Sequence, residues 1–488
     1  MLLHRNILAN YAGRAYSIGA VYLFVPFYIS ILGMEAYGLI GFSLVILTLA
    51  ALADVGLSTT FARQAARESD RGRLLDLLTT MERVLALSAS LLAALVFFSA
   101  DLIATKWLNT SADLGAEETA TSIRLMSVML APQLMVSLYT AGLFGLQRQG
   151  LANGVQALYT TVRSGLVILP IYLWPQVSTF FSWQFASSLV FLVVARTILL
   201  RQMGCSPWDA GRYAMDILQP QLKFAGGMLT ISIIASINTQ LDKLVVSKFF
   251  SVTELGYYTL ASTLAQLPLA AASPVMVALF PRFTALNEQG NHSQVSALYE
   301  NYSFLIALIS AVGTFGLMFF TRDVLTLWLG HNHVPQEVVD ITRLLACGGL
   351  FLALASTPFY LGLASGHNRT SILLGIMTLT MTVPLLFVAS RHFGLVGAAI
   401  PWLLLNATTF FVLAQVINGS FYRGTSHDWF LRSTALPVAI GAIGMFAAHR
   451  LSEAVSLGSL ASSLIALVAA AAILTGGVLF MRTRLSLS

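Results

Sequence analysis

Seven cationic side chains interrupt the apolar runs of this 488-residue chain: Arg14, Arg83, Arg124, Arg163, Arg196, Lys243 and Arg343. The clear acids in the same runs are Asp54, Glu82, Asp242 and Glu300. An ionisable group at a bilayer centre costs at least about 2.5–3.5 kcal/mol, so each must face a cavity, find a partner or lie near an end. The surplus is positive. Cations that share one wet chamber would hold an anion there, and the guanidinium fork matches phosphate geometry. The chemistry on offer is anion binding. Cys205 and Cys347 stand far apart, and no Cys/His cluster points to a metal. No cofactor is expected beyond a coupling H+ or Na+.

Depth along the helix sorts these residues. Arg83 and Arg196 lie within about a turn of a helix end, where long side chains reach lipid headgroups. Glu82 and Glu300 each begin a helix and suit a structural pairing with a neighbouring Arg. Arg124 and Arg343 sit about one turn in, placed for either headgroups or a cavity. Arg14 lies roughly 10 Å into the first helix at 1.5 Å per residue, on a face shared with Asn10, Tyr11 and Ser17. Arg163 falls near mid-helix, with Tyr159 and Thr160 one turn before it. Both are too deep to reach headgroups easily. Asp54 is a candidate partner for Arg14, a proton site or a structural ion pair. Asp242 and Lys243 are neighbours and point about 100° apart, so they do not pair directly. Lys243 is expected towards the cavity; Asp242, with Asp54, is a candidate for ion coupling or gating. Substrate binding is expected from Arg14, Arg163, Lys243, Arg124 and Arg343. Gln133, Gln184, Gln266 and Asn406 are candidate polar lining.

The elements that must position these residues are membrane helices. The chain is 57% hydrophobic and only 10% charged, with a mean hydropathy of +0.78; soluble domains carry about 25% charged residues. Apolar runs of about 20 residues, long enough to cross a hydrocarbon core, recur throughout. Fourteen spans are expected: 7–32, 37–61, 80–102, 120–146, 152–174, 178–200, 223–249, 254–280, 299–320, 341–364, 370–390, 394–416, 430–449 and 458–481. The fold class is an all-α polytopic membrane protein. The first run lacks a small-residue cleavage site and is expected to be retained. The net charge of +6 reflects loops on the cytoplasmic side, not nucleic-acid binding. With the N-terminus inside, fifteen Lys and Arg fall in inner loops and five in outer ones. Both termini are therefore expected in the cytoplasm.

The halves repeat weakly. "MEAYGLIGFSLV" (34–45) aligns with "VTELGYYTLAST" (252–263) at an offset of 218, setting Gly38 on Gly256. The same offset sets Glu82 on Glu300, and one residue more sets Arg124 on Arg343. Six helices separate equivalent points, so the repeats share orientation. Parallel repeats build transporters with a site between two lobes, opened alternately to each side. The expected lobes are 1–205 and 206–416, with two added helices in 417–488.

The runs "QLDKLVVSKFFSVTELGYYTLASTL", "LFPRFTALNEQGN" and "NILANYAGRAYSIGAVYLFVPFYISILGMEAYGLIGFSLVI", with "ADVGLSTTFARQAARE", carry a resemblance. Over most of residues 5–415 the chain resembles the Wzx-like O-antigen and exopolysaccharide flippases. These form the polysaccharide-transport branch of the multidrug/oligosaccharidyl-lipid/polysaccharide superfamily. The resemblance implies a two-lobed MATE-like bundle in the bacterial inner membrane. It implies alternating-access transfer of undecaprenyl-pyrophosphate-linked oligosaccharides to the outer leaflet, with lipid, and polymerase and chain-length machinery, as partners. It places cavity cations at Arg14 and Lys243. In related lipid II flippases Arg residues near helix two matter; here that helix carries Asp54 centrally and Arg63 only at its end. Two alternatives stand beside this reading. One is a MATE-type multidrug or cation antiporter, which would want an acidic site. The other is a membrane polymerase or ligase, which would want catalytic residues on an outer loop. The outer loops 103–119 and 321–340 are short, and His331 and His333 read as plain surface.

Overall fold

A computed structural model describes residues 2–54, 56–68, 70–215, 233–330, 334–455 and 458–487; the side chains of residues 1–15, 17, 18, 21 and 481–488 lie outside the description. Among the described residues the regular structure is helical, apart from one isolated bridge between Asn109 and Ser251. Eleven helices there are long and apolar enough to cross a membrane. The difference from fourteen has local causes. Expected spans one and two run as one helical stretch, Leu2–Ala50, broken at Gly33 (φ 86°). That left-handed backbone is open to glycine and costly for other residues. Expected span five is cut into Gln149–Thr160, a π-helical turn at Thr161–Gly165, and Ile168–Leu173. Expected span seven falls partly in 216–232, outside the described residues; its described end, Leu241–Phe249, is nine residues long.

The chain divides into two compact units, Met1–Gly256 and Tyr257–Ser488. In the first, Phe61, Leu78, Met81, Leu85 and Leu143 are fully buried. The 116–145 helix comes close to the 57–65 helix through glycines. A Cβ on Gly145 would stand 2.7 Å from the Cα of Ala62, and one on Gly142 would enter the Phe61 ring. Arg196 is not left to the headgroups. Its Nε donates to Glu82 Oε1 at 2.9 Å, and its Nη1 donates to the Pro207 carbonyl at 2.9 Å. Helix pairing won over the headgroup position because Glu82 lies on a neighbouring helix within reach. Arg83 instead stacks over Tyr213 at 5.8 Å.

Residues 103–111 are no free loop. Asn109 accepts from Val252 N at 3.1 Å and donates from Nδ2 to the Lys248 and Phe250 carbonyls, both at 3.2 Å. Trp107 Nε1 donates to Ser247 Oγ at 2.9 Å, and Ser111 N donates to Glu35 at 2.6 Å. This segment straps the junction at Gly33 to the start of the 252–265 helix. Asn109→Ala removes two side-chain bonds that together oppose local opening by about 1–2 kcal/mol. Amide exchange at residues 250–254 should then quicken about tenfold, as read by mass spectrometry; unchanged exchange would refute the strap.

In the second unit the His292–Leu329 helix is the spine. Tyr299 is fully buried, stacks on Trp429 at 5.2 Å and donates to Asn418 Oδ1 at 2.6 Å. Glu300 accepts from Tyr422, so Glu82 and Glu300, matched in the repeat, both tie helices together. The last two long helices pack on this spine. Met445 and Ala448 meet Leu308, Val312 and Phe320, and Gly441 admits the backbone of Val312.

Candidate functional site

Arg163 sits inside the π-helical turn Thr161–Gly165, closed by Leu166 N donating to the Thr161 carbonyl at 3.0 Å. A π turn widens the helix and frees carbonyls that an α-helix would occupy. Side chains from other helices take them up. Trp183 Nε1 donates to the Val162 carbonyl at 2.8 Å and Gln184 Nε2 to the Arg163 carbonyl at 3.1 Å. The Tyr28 hydroxyl donates to the Ser164 carbonyl. Three side chains from two other helices thus hold the turn around Arg163 by its backbone and leave its guanidinium available. That group stacks over the Tyr159 ring, 5.5 Å from its centroid. Among the described residues it forms no salt bridge.

Tyr159 also walls a cavity of about 260 Å³ between the 116–145 and 149–160 helices. Gln133, Ser137, Thr140 and Phe144 line it from one helix, Gln156 and Tyr159 from the other. Each set follows helical spacing, so two polar stripes face each other. The Tyr159 hydroxyl is fixed by Ser188 Oγ at 2.8 Å. Gln133 is 8% exposed, and its Oε1 has no hydrogen-bond partner. Nearby, Tyr16 and Thr161 join hydroxyls at 2.5 Å.

The other expected residues fall elsewhere. Arg14 lies on the first helix, but its side chain is outside the described residues. Lys243 is 7% exposed in the first turn of the 241–249 helix and among the described residues forms no salt bridge. Residues 239–240 form a turn there, between helical residues 233–238 and the 241–249 helix, so the described part of the expected seventh span is discontinuous. Asp242, 8% exposed, turns its Oδ1 onto Lys243 N at 2.7 Å. Arg124 is held by both oxygens of Asp101, at 2.8 and 2.6 Å. Arg343, in the second unit, lies 3.7 Å from Asp340. Asp54 ends a short 3-10 turn and accepts from Ser58 N at 3.1 Å and Ser58 Oγ at 2.9 Å, fixing the start of the next helix. Gln133 and Gln184 join the Arg163 region; Asn406 donates to its own helix at the Trp402 carbonyl, 2.7 Å. His331 and His333 lie outside the described residues. Gln156, Tyr28 and Trp183 are the contributors that sequence reasoning missed.

Comparison with solved structures places this fold. The lipid II flippase MurJ in an inward closed conformation aligns with a TM-score of 0.73 and 12% identity, over 98% of this chain and 99% of that one. An inward-facing MATE-family multidrug resistance transporter aligns at 0.59 and 18% identity, over 85% and 95%. Among curated proteins, the "Putative O-antigen transporter" of Shigella flexneri is 24% identical over 381 residues, 76% of this chain and 87% of that protein. The "Uncharacterized membrane protein in cps region" of Klebsiella pneumoniae is 23% identical over 234 residues, 46% and 47%. Residues 3–287 match the family described as "Polysaccharide biosynthesis protein". With more than half its length inside that match, the chain belongs to the polysaccharide biosynthesis protein family.

Proposed function

We propose that the chain is a flippase for lipid-linked oligosaccharide, moving undecaprenyl-pyrophosphate-borne repeat units across the bacterial inner membrane. Family and fold support a flippase; the observation that carries the finer reading is Arg163. A guanidinium is held deep in a membrane unit, beside a polar pocket, with no carboxylate to neutralise it among the described residues. Such a group wants an anion, and a diphosphate suits its fork. Lys243 supplies a second buried positive charge at a helix interruption, where transporters commonly build their sites. Arg14 belongs to the same set, and Arg124 and Arg343 would guide the headgroup at the helix ends. Sugars occupy hydrated space while the polyprenyl tail stays in lipid. The lobes, 1–205 and 206–416, alternate access, and an H+ or Na+ gradient acts through Asp54 or Asp242. Both termini are cytoplasmic. A polymerase would receive the cargo outside.

Deleting the gene should cause lipid-linked repeat units to accumulate on the inner leaflet, measured by protection from an externally added glycosidase. Loss of dye resistance, with lipid-linked sugars unaffected, would refute this reading and favour the multidrug antiporter.

A further inference from the structure

The pocket beside Tyr159 has chemistry of its own. None of its six polar and aromatic liners carries a formal charge. An acidic group would be needed to favour a bare cation, and a basic one to favour a phosphate. The unmet need is instead for a neutral donor: the Gln133 Oε1 is buried and lacks one. An orphaned buried acceptor is destabilising, and a ligand that donates to it removes that cost. Phe144 and the Tyr159 ring offer apolar faces, while Ser137 and Gln156 stand exposed at the mouth. A volume of about 260 Å³ is below the roughly 300–1,000 Å³ of pockets for drug-sized ligands. One ring fits, and a whole repeat unit does not.

We infer that this pocket is a subsite for a single uncharged pyranose, gripped by a hydroxyl or amide N–H donated to Gln133 Oε1. The inference rests on the reading above that the cargo is a glycan. Tyr159 ties the two together: one ring is both a wall of the pocket and the platform under the Arg163 guanidinium. A sugar joined to a diphosphate would present its ring to the pocket and its charge to Arg163. The Ser188 bond to the Tyr159 hydroxyl keeps that wall in place.

Saturation-transfer NMR on the full chain in nanodiscs tests it. The probes are methyl N-acetyl-β-glucosaminide and methyl α-glucoside. The wild type should give a signal with at least one of them. Gln133→Leu should cut it at least fivefold while the melting temperature holds or rises, because the change removes an unpaired acceptor. Ser137→Phe, at the mouth, should block entry and cut it equally. Absence of signal from the wild type, or equal signal from all three proteins, would overturn the subsite and leave a water-filled pocket. The outcome is separable from the flippase reading. Normal flipping with no sugar signal fails the subsite alone. Absent flipping with a Gln133-dependent signal fails the flippase reading and leaves the subsite standing.

Discussion

Arg163→Ala in an otherwise intact chain should reach the membrane at wild-type level, yet lower export of surface polysaccharide about a hundredfold. Charge-assisted hydrogen bonds contribute about 1.5–3 kcal/mol each. Loss of one pair to a diphosphate therefore costs about 3 kcal/mol, close to a hundredfold in rate where the anion is held in the rate-limiting state. The fold should not suffer to match. Trp183, Gln184 and Tyr28 hold the π turn through the carbonyls of residues 162–164, and alanine keeps all three bonds. Arg163→Lys is the sharper probe. It keeps the charge and loses the fork, so export should recover to roughly a tenth of wild type. Full export by Arg163→Ala, with protein level checked by immunoblot, would refute an anion site at Arg163. A collapse in melting temperature would show instead that the guanidinium is structural.

Depth in the membrane made Arg163 legible as a candidate. Its surroundings were not legible. A π turn has no local signature in "TTVRSGL"; it persists because partners about 20 and 135 residues away accept its consequences. Helix pairing explains the other surprises. Asp101 stands at the edge of the expected third span, where a carboxylate reads as solvated. Only its contact with the 116–145 helix reveals that it matches Arg124. Arg196 similarly needed Glu82 from another helix. The pocket was half-visible. Gln133, Ser137, Thr140 and Phe144 recur at helical spacing along one face of the 116–145 helix, whereas Gln133 taken alone says little. Helix ends in the chain were easiest to read where glycine or proline sets them. The interior interruptions at 161–165 and 239–240 lack proline, and the polar residues there, such as Thr161, Arg163, Thr239 and Gln240, do not by themselves specify a break.

The weak repeat yields the second large effect. Gly38 and Gly256, matched at the 218-residue offset, prove to be neighbours. A Cβ on Gly38 would collide with the Val252 carbonyl, and one on Gly256 would collide with the Met34 carbonyl and lie 3.2 Å from Gly38 N. Each glycine makes room for the backbone of the segment that carries the other. Backbone cannot rotate aside as a side chain can, so even a methyl group forces the crossing apart. Overpacking of this kind costs about 1–3 kcal/mol, and more for larger groups. Gly38→Ala or Gly256→Ala should each lower the melting temperature measurably, and Gly38→Val should abolish export. Gly419→Ala, with nothing within 4 Å of the added carbon, is the control and should leave both unchanged. The decisive measurement is the double variant. Two substitutions that spread one crossing share the cost, so Gly38→Ala with Gly256→Ala should destabilise by clearly less than the summed single effects, with coupling above about 0.5 kcal/mol. Additive losses would mean that the two glycines act at separate contacts, and the repeat would then be a coincidence of sequence with no meeting point in the fold.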